Sequence, residues 1–282
     1  MLTMLKQCLS LLLFCLLPLV LTPLLAAPPL RADLPVLKLA MYHTPPYYYT
    51  EDVAEPHGLP LDLLKPAARQ LGLQIEIVTC PFARCLKLAE QGEVDIVGGL
   101  IKTDERENYL YFIQPAMMNF VSSFVFYSRH SQNHEIHSVK NLKGYSITVM
   151  RNAAYFPAFD QATDFERISV NSEAKALELV YKGRADYAIT VEQTAEGAFA
   201  EAGLELSDLK RQPYHVNQNI RGYLAFSRQS PNFQLAAKLE QILEQQYRAG
   251  MFHLLWQKYR LPAIPNQAQT PATEPLTTTP AE

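Results

Sequence analysis

Glycine is scarce in this chain of 282 residues, with only 11, and neither a Gly-x-Ser-x-Gly elbow nor a phosphate-cradling glycine loop occurs. The usual sequence signs of a hydrolase nucleophile and of a nucleotide-phosphate site are therefore missing. A basic excess is also absent. Lys and Arg number 25 against 28 Asp and Glu, a net charge of −3, so nothing argues for a nucleic-acid partner. Cysteine is limited to four residues. A long apolar run occurs once, from Leu9 to Leu25.

What is present begins with that run. Lys6 and the amino terminus supply positive charge ahead of it, and the small residues Ala26 and Ala27 follow. Residues 1–27 read as a secretory signal peptide, cleaved somewhere from Ala26 to Ala32. The rival is an uncleaved anchor, because the run is nearly long enough to span a bilayer; Pro18 and Pro23 count against it. Gln7 and Phe14 precede Cys8 and Cys15, where a lipoprotein signal would carry a small residue. A soluble exported protein is expected, with Cys80 and Cys85 as its remaining cysteines. Cys80 ends a strand and Cys85 begins a helix, so the two can bridge in an oxidising compartment. Two buried thiols are the alternative; the bridge is preferred.

The chain is organised around the stretch from Gly92 to Arg106. Gly92 suits the left-handed close of a helix, and Asp95-Ile96-Val97 reads as a short buried strand. Gly98-Gly99 permits a close backbone turn. Thr103 can cap the next helix, with Asp104 and Glu105 at its positive end. Arg106 then stands at the C-terminal edge of a strand, where α/β sheets hold ligands. The unit recurs 91 residues later: Gly183-Arg184-Ala185-Asp186 precedes an apolar run, and Ala83, Leu86, Leu88 and Gly92 fall on Ala174, Leu177, Leu179 and Gly183. A helix–glycine–strand unit that repeats in this way suggests two similar α/β lobes.

Elsewhere, Leu37–Met41 reads as the first strand and runs into a loop with Pro45, Pro46 and four tyrosines, Tyr42, Tyr47, Tyr48 and Tyr49. One or two of these rings should face a cleft and the others pack inward. Residues 58–71 hold a helix that Pro66 either kinks or restarts. Phe120–Tyr127 is an apolar, aromatic strand, and Gly222–Phe226 a returning one, with lobe crossings expected near Phe126 and Tyr223. Residues 232–259 read as one amphipathic helix interrupted at Gly250. His130, His134 and His137 fall in a polar linker without cysteine and read as solvated rather than metal-ligating. Arg84, at a helix start, points into the cleft or stays on the surface. No metal or other cofactor is expected.

Taken together, Gly58-Leu59-Pro60-Leu61-Asp62, Gln70-Leu71-Gly72-Leu73, Gly92-Glu93-Val94-Asp95, Thr103-Asp104-Glu105-Arg106, Gln114-Pro115, Leu142-Lys143-Gly144 and Gly183-Arg184-Ala185-Asp186 resemble, in order and spacing, bacterial extracellular solute-binding proteins of family 3. The resemblance implies a two-lobed periplasmic-binding-protein fold of type II, with two hinge crossings. Lobe 1 would hold residues 34–124 and 226–262, lobe 2 residues 125–225, and 263–282 a disordered tail. It further implies a monomeric, periplasmic, non-enzymatic protein that takes a small anionic ligand for a membrane permease. A sensor serving a membrane receptor, or an exported dehydratase of cyclic acids, is the alternative. In such proteins an arginine matching Arg106 pairs with a ligand carboxylate. The hydroxyl residue often found five places earlier is here Ile101. The second-lobe Gly-Thr or Gly-Ser is replaced by Arg151-Asn152-Ala153-Ala154, and the amine-binding aspartate by Val191, with Glu192 beside it. The expected ligand contacts are thus Arg106, Thr103, Tyr42, Tyr47, Arg84, Asn152 and Glu192.

Overall fold

The computed structural model describes residues 34–261, so the signal segment expected at 1–27 and the tail expected at 263–282 lie outside the described residues. In chain order the first half contains β1 (Val36–Met41), the small hairpin β2 (Tyr48–Tyr49) and β3 (His57–Gly58), α1 (Leu59–Leu71), β4 (Gln74–Thr79), α2 (Phe82–Glu90), β5 (Ile96–Ile101) and the single turn α3 (Asp104–Glu107). A long strand, β6 (Leu110–Ser128), leads to the second half: β7 (Ser146–Met150), α4 (Pro157–Asp160), β8 (Glu166–Val170), α5 (Glu173–Tyr181), β9 (Tyr187–Val191) and α6 (Glu192–Glu201). The second long strand, β10 (Lys210–Ser227), returns, and α7 (Ala236–Arg248) and α8 (Met251–Lys258) follow. No helix among the described residues is long and apolar enough to cross a membrane.

Eight strands form one mixed sheet in the order β4-β1-β5-β10-β6-β9-β7-β8. Its two ends are parallel three-stranded units, β4-β1-β5 and β9-β7-β8. The antiparallel pair β10 and β6 joins them. Gly222–Phe226 of β10 pairs with β5, and Phe124–Ser128 of β6 pairs with β9. Between these regions Asn119–Ser123 and Asn217–Arg221 pair only with each other. Phe126 is already opposite Ile189, and Tyr223 opposite Leu100, so the two-stranded ribbon lies a few residues inside the crossings expected from sequence.

The internal repeat has a physical basis. Asp95 accepts from the Lys38 amide at 2.6 Å, and Asp186 accepts from the Ser146 amide at 2.8 Å. Each carboxylate therefore ties the strand that follows a helix to the first strand of its own half. Gly92 and Gly183, three residues earlier, adopt φ of 74° and 72°, a left-handed conformation that side chains other than hydrogen resist. At Gly92 a Cβ would also stand 2.4 Å from the Gln229 carbonyl oxygen.

Helix α1 buries Leu59, Leu63, Leu64, Ala67 and Ala68 and carries Pro66 within a single 13-residue helix. The interruption expected at Gly250 divides the C-terminal helix into α7 and α8, because Gly250 takes φ 81°. Of the three linker histidines, His130 and His137 are exposed as expected and His134 is not. His134 is half-buried, stacked 4.9 Å from Tyr145, with Nε2 at 3.0 Å from the Asn141 carbonyl. His130 Nε2 meets the Ser207 carbonyl at 2.8 Å, and His137 lies exposed near Glu135.

Candidate functional site

A cavity of about 120 Å³ opens where the C-terminal ends of the strands in both halves face each other. The β1–β2 loop, the start of α2 and the end of β5 form one wall; the β7–α4 loop, the start of α5 and the β9–α6 turn form the other. For scale, an apolar cavity of ~150 Å³ accommodates benzene. The lining is largely aromatic and aliphatic: Tyr42, Tyr47, Phe82, Phe124, Met150 and Tyr155 contribute, with Arg106, Glu173 and Glu201 as charged groups.

The first wall is built locally. Tyr42 is buried, donates to the Gly99 carbonyl at 3.4 Å, and meets Phe82 edge-on at 4.9 Å. Phe82 opens α2, whose first turn is linked back to the end of β4 by a disulfide between Cys80 and Cys85, with Cα atoms 5.5 Å apart. The bridge preferred from the sequence is thus the one formed. Thr103 caps α3 by accepting from the Arg106 amide at 3.3 Å.

Arg106 is only 5% exposed. Its Nη1 donates to the Ile101 carbonyl at 2.6 Å and its Nη2 to the Asn152 carbonyl at 2.7 Å. The guanidinium lies 5.7 Å from the centre of the Phe82 ring. Burial pulls its pKa down, although nearby Tyr109, Tyr42 and Glu105 oppose that shift. The cation therefore sits in a desolvated position, held by neutral carbonyls from both walls. Its five N–H donors exceed the two bonds made here, which leaves donors for an anionic ligand.

The expected residues divide into three groups. Arg106, Tyr42 and Tyr47 line the cavity; Thr103 and Asn152 border an adjoining groove on the other side of Arg106. Thr103 acts through its cap, and Asn152 through its backbone carbonyl. Arg84 is exposed and lies outside both spaces. Glu192 is exposed as well and pairs with Arg211 at 2.8 Å.

Several lining residues had no sequence signal beyond their element. Tyr155 uses its hydroxyl to accept from the Met150 amide at 2.8 Å, which fixes the β7–α4 loop. Glu173, the first residue of α5, accepts from the Val191 amide at 3.1 Å and from the Thr194 hydroxyl. Burial raises the Glu173 pKa despite those two bonds, and Glu201 adds to the rise. His43 Nδ1 accepts from the amides of Thr50 and Glu51, so Nε2 carries the proton and points at Glu201, 3.8 Å away on α6. Ser172-Glu173 is legible in the sequence as a helix start, but the direction of the side chain depends on how α5 packs on the sheet.

This fold, with parallel units bridged by two antiparallel strands and a cavity between their C-terminal edges, is that of the two-lobed periplasmic binding proteins. Residues 37–262 match the family of bacterial extracellular solute-binding proteins, family 3, and the chain belongs to that family. Among solved structures, a mutant of the arginine-binding protein from T. maritima is 19% identical, covers 80% of this chain and 95% of its own, and superposes with a TM-score of 0.66. An ancestral arginine-binding protein bound to arginine is 18% identical over 80% of this chain and 99% of its own, with a TM-score of 0.66. A histidine kinase sensor domain with similarity to periplasmic binding proteins is 18% identical over 81% and 97%, with a TM-score of 0.65. No curated protein matches the sequence.

Proposed function

We propose that the protein is a periplasmic, non-enzymatic binding protein that captures a small carboxylate-bearing ligand, an amino acid or related organic acid, between two lobes and delivers it to a membrane permease of the ABC type. The supporting observation is Arg106: a desolvated guanidinium with spare donors, on the wall of an aromatic cavity, bonded to carbonyls on both sides of it. Family membership supports solute binding rather than catalysis. Lobe 1 comprises 34–124 and 226–262 and lobe 2 comprises 125–225. The ribbon of Asn119–Ser123 and Asn217–Arg221 serves as the hinge, because it is the thinnest part of the sheet. Ligand contacts to both lobes would favour the closed form.

The same closure would serve a sensor, and the likeness to a histidine kinase sensor domain supports keeping that reading beside uptake. The test of capture is a thermal-melting screen of the purified chain against small carboxylates, followed by calorimetry. At least one carboxylate should raise the melting temperature of the wild type and lose most of its effect in Arg106→Lys. Equal stabilisation of both proteins would remove Arg106 as the anchor, and stabilisation by none would sink carboxylate capture.

A further inference from the structure

The chain leaves α8 in a fixed direction. Arg260, two residues past the end of that helix, takes φ 54°, the left-handed conformation that closes a helix. Its amide donates to the Gln257 carbonyl at 3.2 Å and the Leu261 amide to the Trp256 carbonyl at 2.8 Å, the paired bonds of a Schellman close. Pro262 follows; it has no amide hydrogen with which to continue a helix, and it disfavours a helical Leu261. Leu261 itself lines a groove of about 470 Å³, so the next residues begin at the groove wall.

Pro46, Tyr47 and Tyr49, from the loop and hairpin after β1, line this groove together with Tyr259, and α6 contributes Gln193. His57 covers one face of the Tyr49 ring, 5.0 Å away and nearly parallel, and the Tyr259 hydroxyl donates to Asp62 at 2.8 Å. These rings are therefore fixed before anything docks on them. Tyr47 lines both this groove and the cavity that holds Arg106. Grooves of fixed aromatic rings receive extended, proline-containing segments, whose preformed backbone loses little entropy on docking. Pro262, Ala263, Ile264 and Pro265 are such a segment. It is joined to the groove wall at Leu261, so its effective concentration there is high. After Arg260 the sequence has no Lys or Arg, and its charged side chains are Glu274 and Glu282, so nothing in it repels Lys258 and Arg260 on the groove.

We propose that residues 262–265 dock in this groove, laying their proline and isoleucine side chains on its tyrosine rings, and thereby buttress Tyr47, the ring shared with the Arg106 cavity. The occupant is this chain's own segment and not a separate peptide or a second copy. The Schellman close and Pro262 deliver that segment to the groove without the cost of bringing two molecules together. The docking is independent of what the Arg106 cavity binds.

Thermal melting of point variants in the full chain tests this. Ile264→Asp puts a charge where an apolar side chain docks and should lower Tm by about 2–4 °C, the shift a modest contact gives in a chain of this size. Leu276→Asp, an equally drastic change further along, should leave Tm unchanged. In a Tyr49→Ala background Ile264→Asp should cost about half as much or less, because substitutions at contacting residues are not additive. No loss in Ile264→Asp, an equal loss in Leu276→Asp, or an undiminished loss beside Tyr49→Ala would each overturn the proposal. So would a wild-type chain that sediments as a dimer and becomes monomeric on Tyr49→Ala, which would give the groove to a second copy. Ile264→Asp and Leu276→Asp change no groove residue, so a failure of Tyr49→Ala to fold does not spare the proposal.

Discussion

Arg106 Nη2 and the Asn152 carbonyl meet at 2.7 Å although 46 positions separate them in the chain. One belongs to the β5–α3 turn and the other to the loop after β7, so this hydrogen bond crosses the cleft. The guanidinium proposed as the ligand anchor therefore also couples the two walls. Removing it takes away the donor to the Ile101 and Asn152 carbonyls and, on the proposed function, the partner of the ligand anion. For a carboxylate that stabilises the wild type, Arg106→Ala should weaken binding by about 2–5 kcal/mol, roughly 30- to several-thousand-fold. Arg106→Lys should also bind poorly, because an ammonium cannot reproduce the planar fork. Calorimetric titration checks this; binding within a few-fold of wild type by both folded variants would reassign the anchor.

A second cross-cleft contact is steric. A Cβ on Gly197 in α6 would stand 3.0 Å from the carbonyl oxygen of Pro45 in the β1–β2 loop. Alanine is favoured over glycine within a helix by about 1 kcal/mol. Gly197→Ala should therefore hold or raise the melting temperature while disfavouring the closed form. Small-angle scattering should give the variant a larger radius of gyration than wild type, and identical radii would show that this contact does not limit closure.

The Cys80–Cys85 bridge closes a loop of only five residues' separation. Chain-entropy arguments assign a loop this short about 2 kcal/mol. Trypsin cleaves after Arg84, between the two cysteines, so a non-reducing digest should yield two peptides joined by one disulfide. Replacing both cysteines by serine should lower unfolding free energy by about that amount in urea titration. Separate, unlinked peptides would refute the bridge.

Glu173 gives stability a definite pH dependence. Its folded pKa is raised above the ordinary value of 4.5, by burial first and by Glu201 to a smaller extent. The native state then holds the proton more tightly than the unfolded chain, so this group's contribution is greatest at low pH and is lost as pH rises through the folded value. Glu201 also titrates near this wall, so the difference between wild type and Glu173→Gln is the quantity to follow. Ligand-free Glu173→Gln should gain melting temperature relative to wild type as pH rises from about 4 toward neutrality. A pH-independent difference would show that the carboxylate is not desolvated.

Asp95 is 3% exposed and accepts from the Lys38 amide, the Ser230 hydroxyl and the Asn232 amide. Truncation strands buried donors, each costing ~1–3 kcal/mol. Asp95→Ala should lose about 2–4 kcal/mol in urea denaturation, and a loss below about 0.5 kcal/mol would place it with ordinary surface substitutions.

Local chemistry made much of this protein legible in its sequence. The Gly92 and Gly183 units announced two like halves, because a left-handed glycine followed by an anchoring aspartate is a local requirement of a helix turning into a strand. Thr103 was legible as a cap and Arg106 as a residue at a strand's C-terminal edge for the same reason. Cys80 and Cys85 could be paired because five residues of turn bring them together. Packing across the cleft decided the rest. Arg84 and Glu192 occupy helix starts as suitable in sequence as those of Arg106 and Glu173, yet they face outward, since a helix's rotation on the sheet is set by its whole buried stripe. Glu173, Tyr155 and the Asn152 carbonyl became neighbours of Arg106's cavity only when β6 and β10 laid the two halves side by side. Those contacts join residues far apart in the chain, and no local pattern encodes the relative placement of surfaces brought together by a shared sheet.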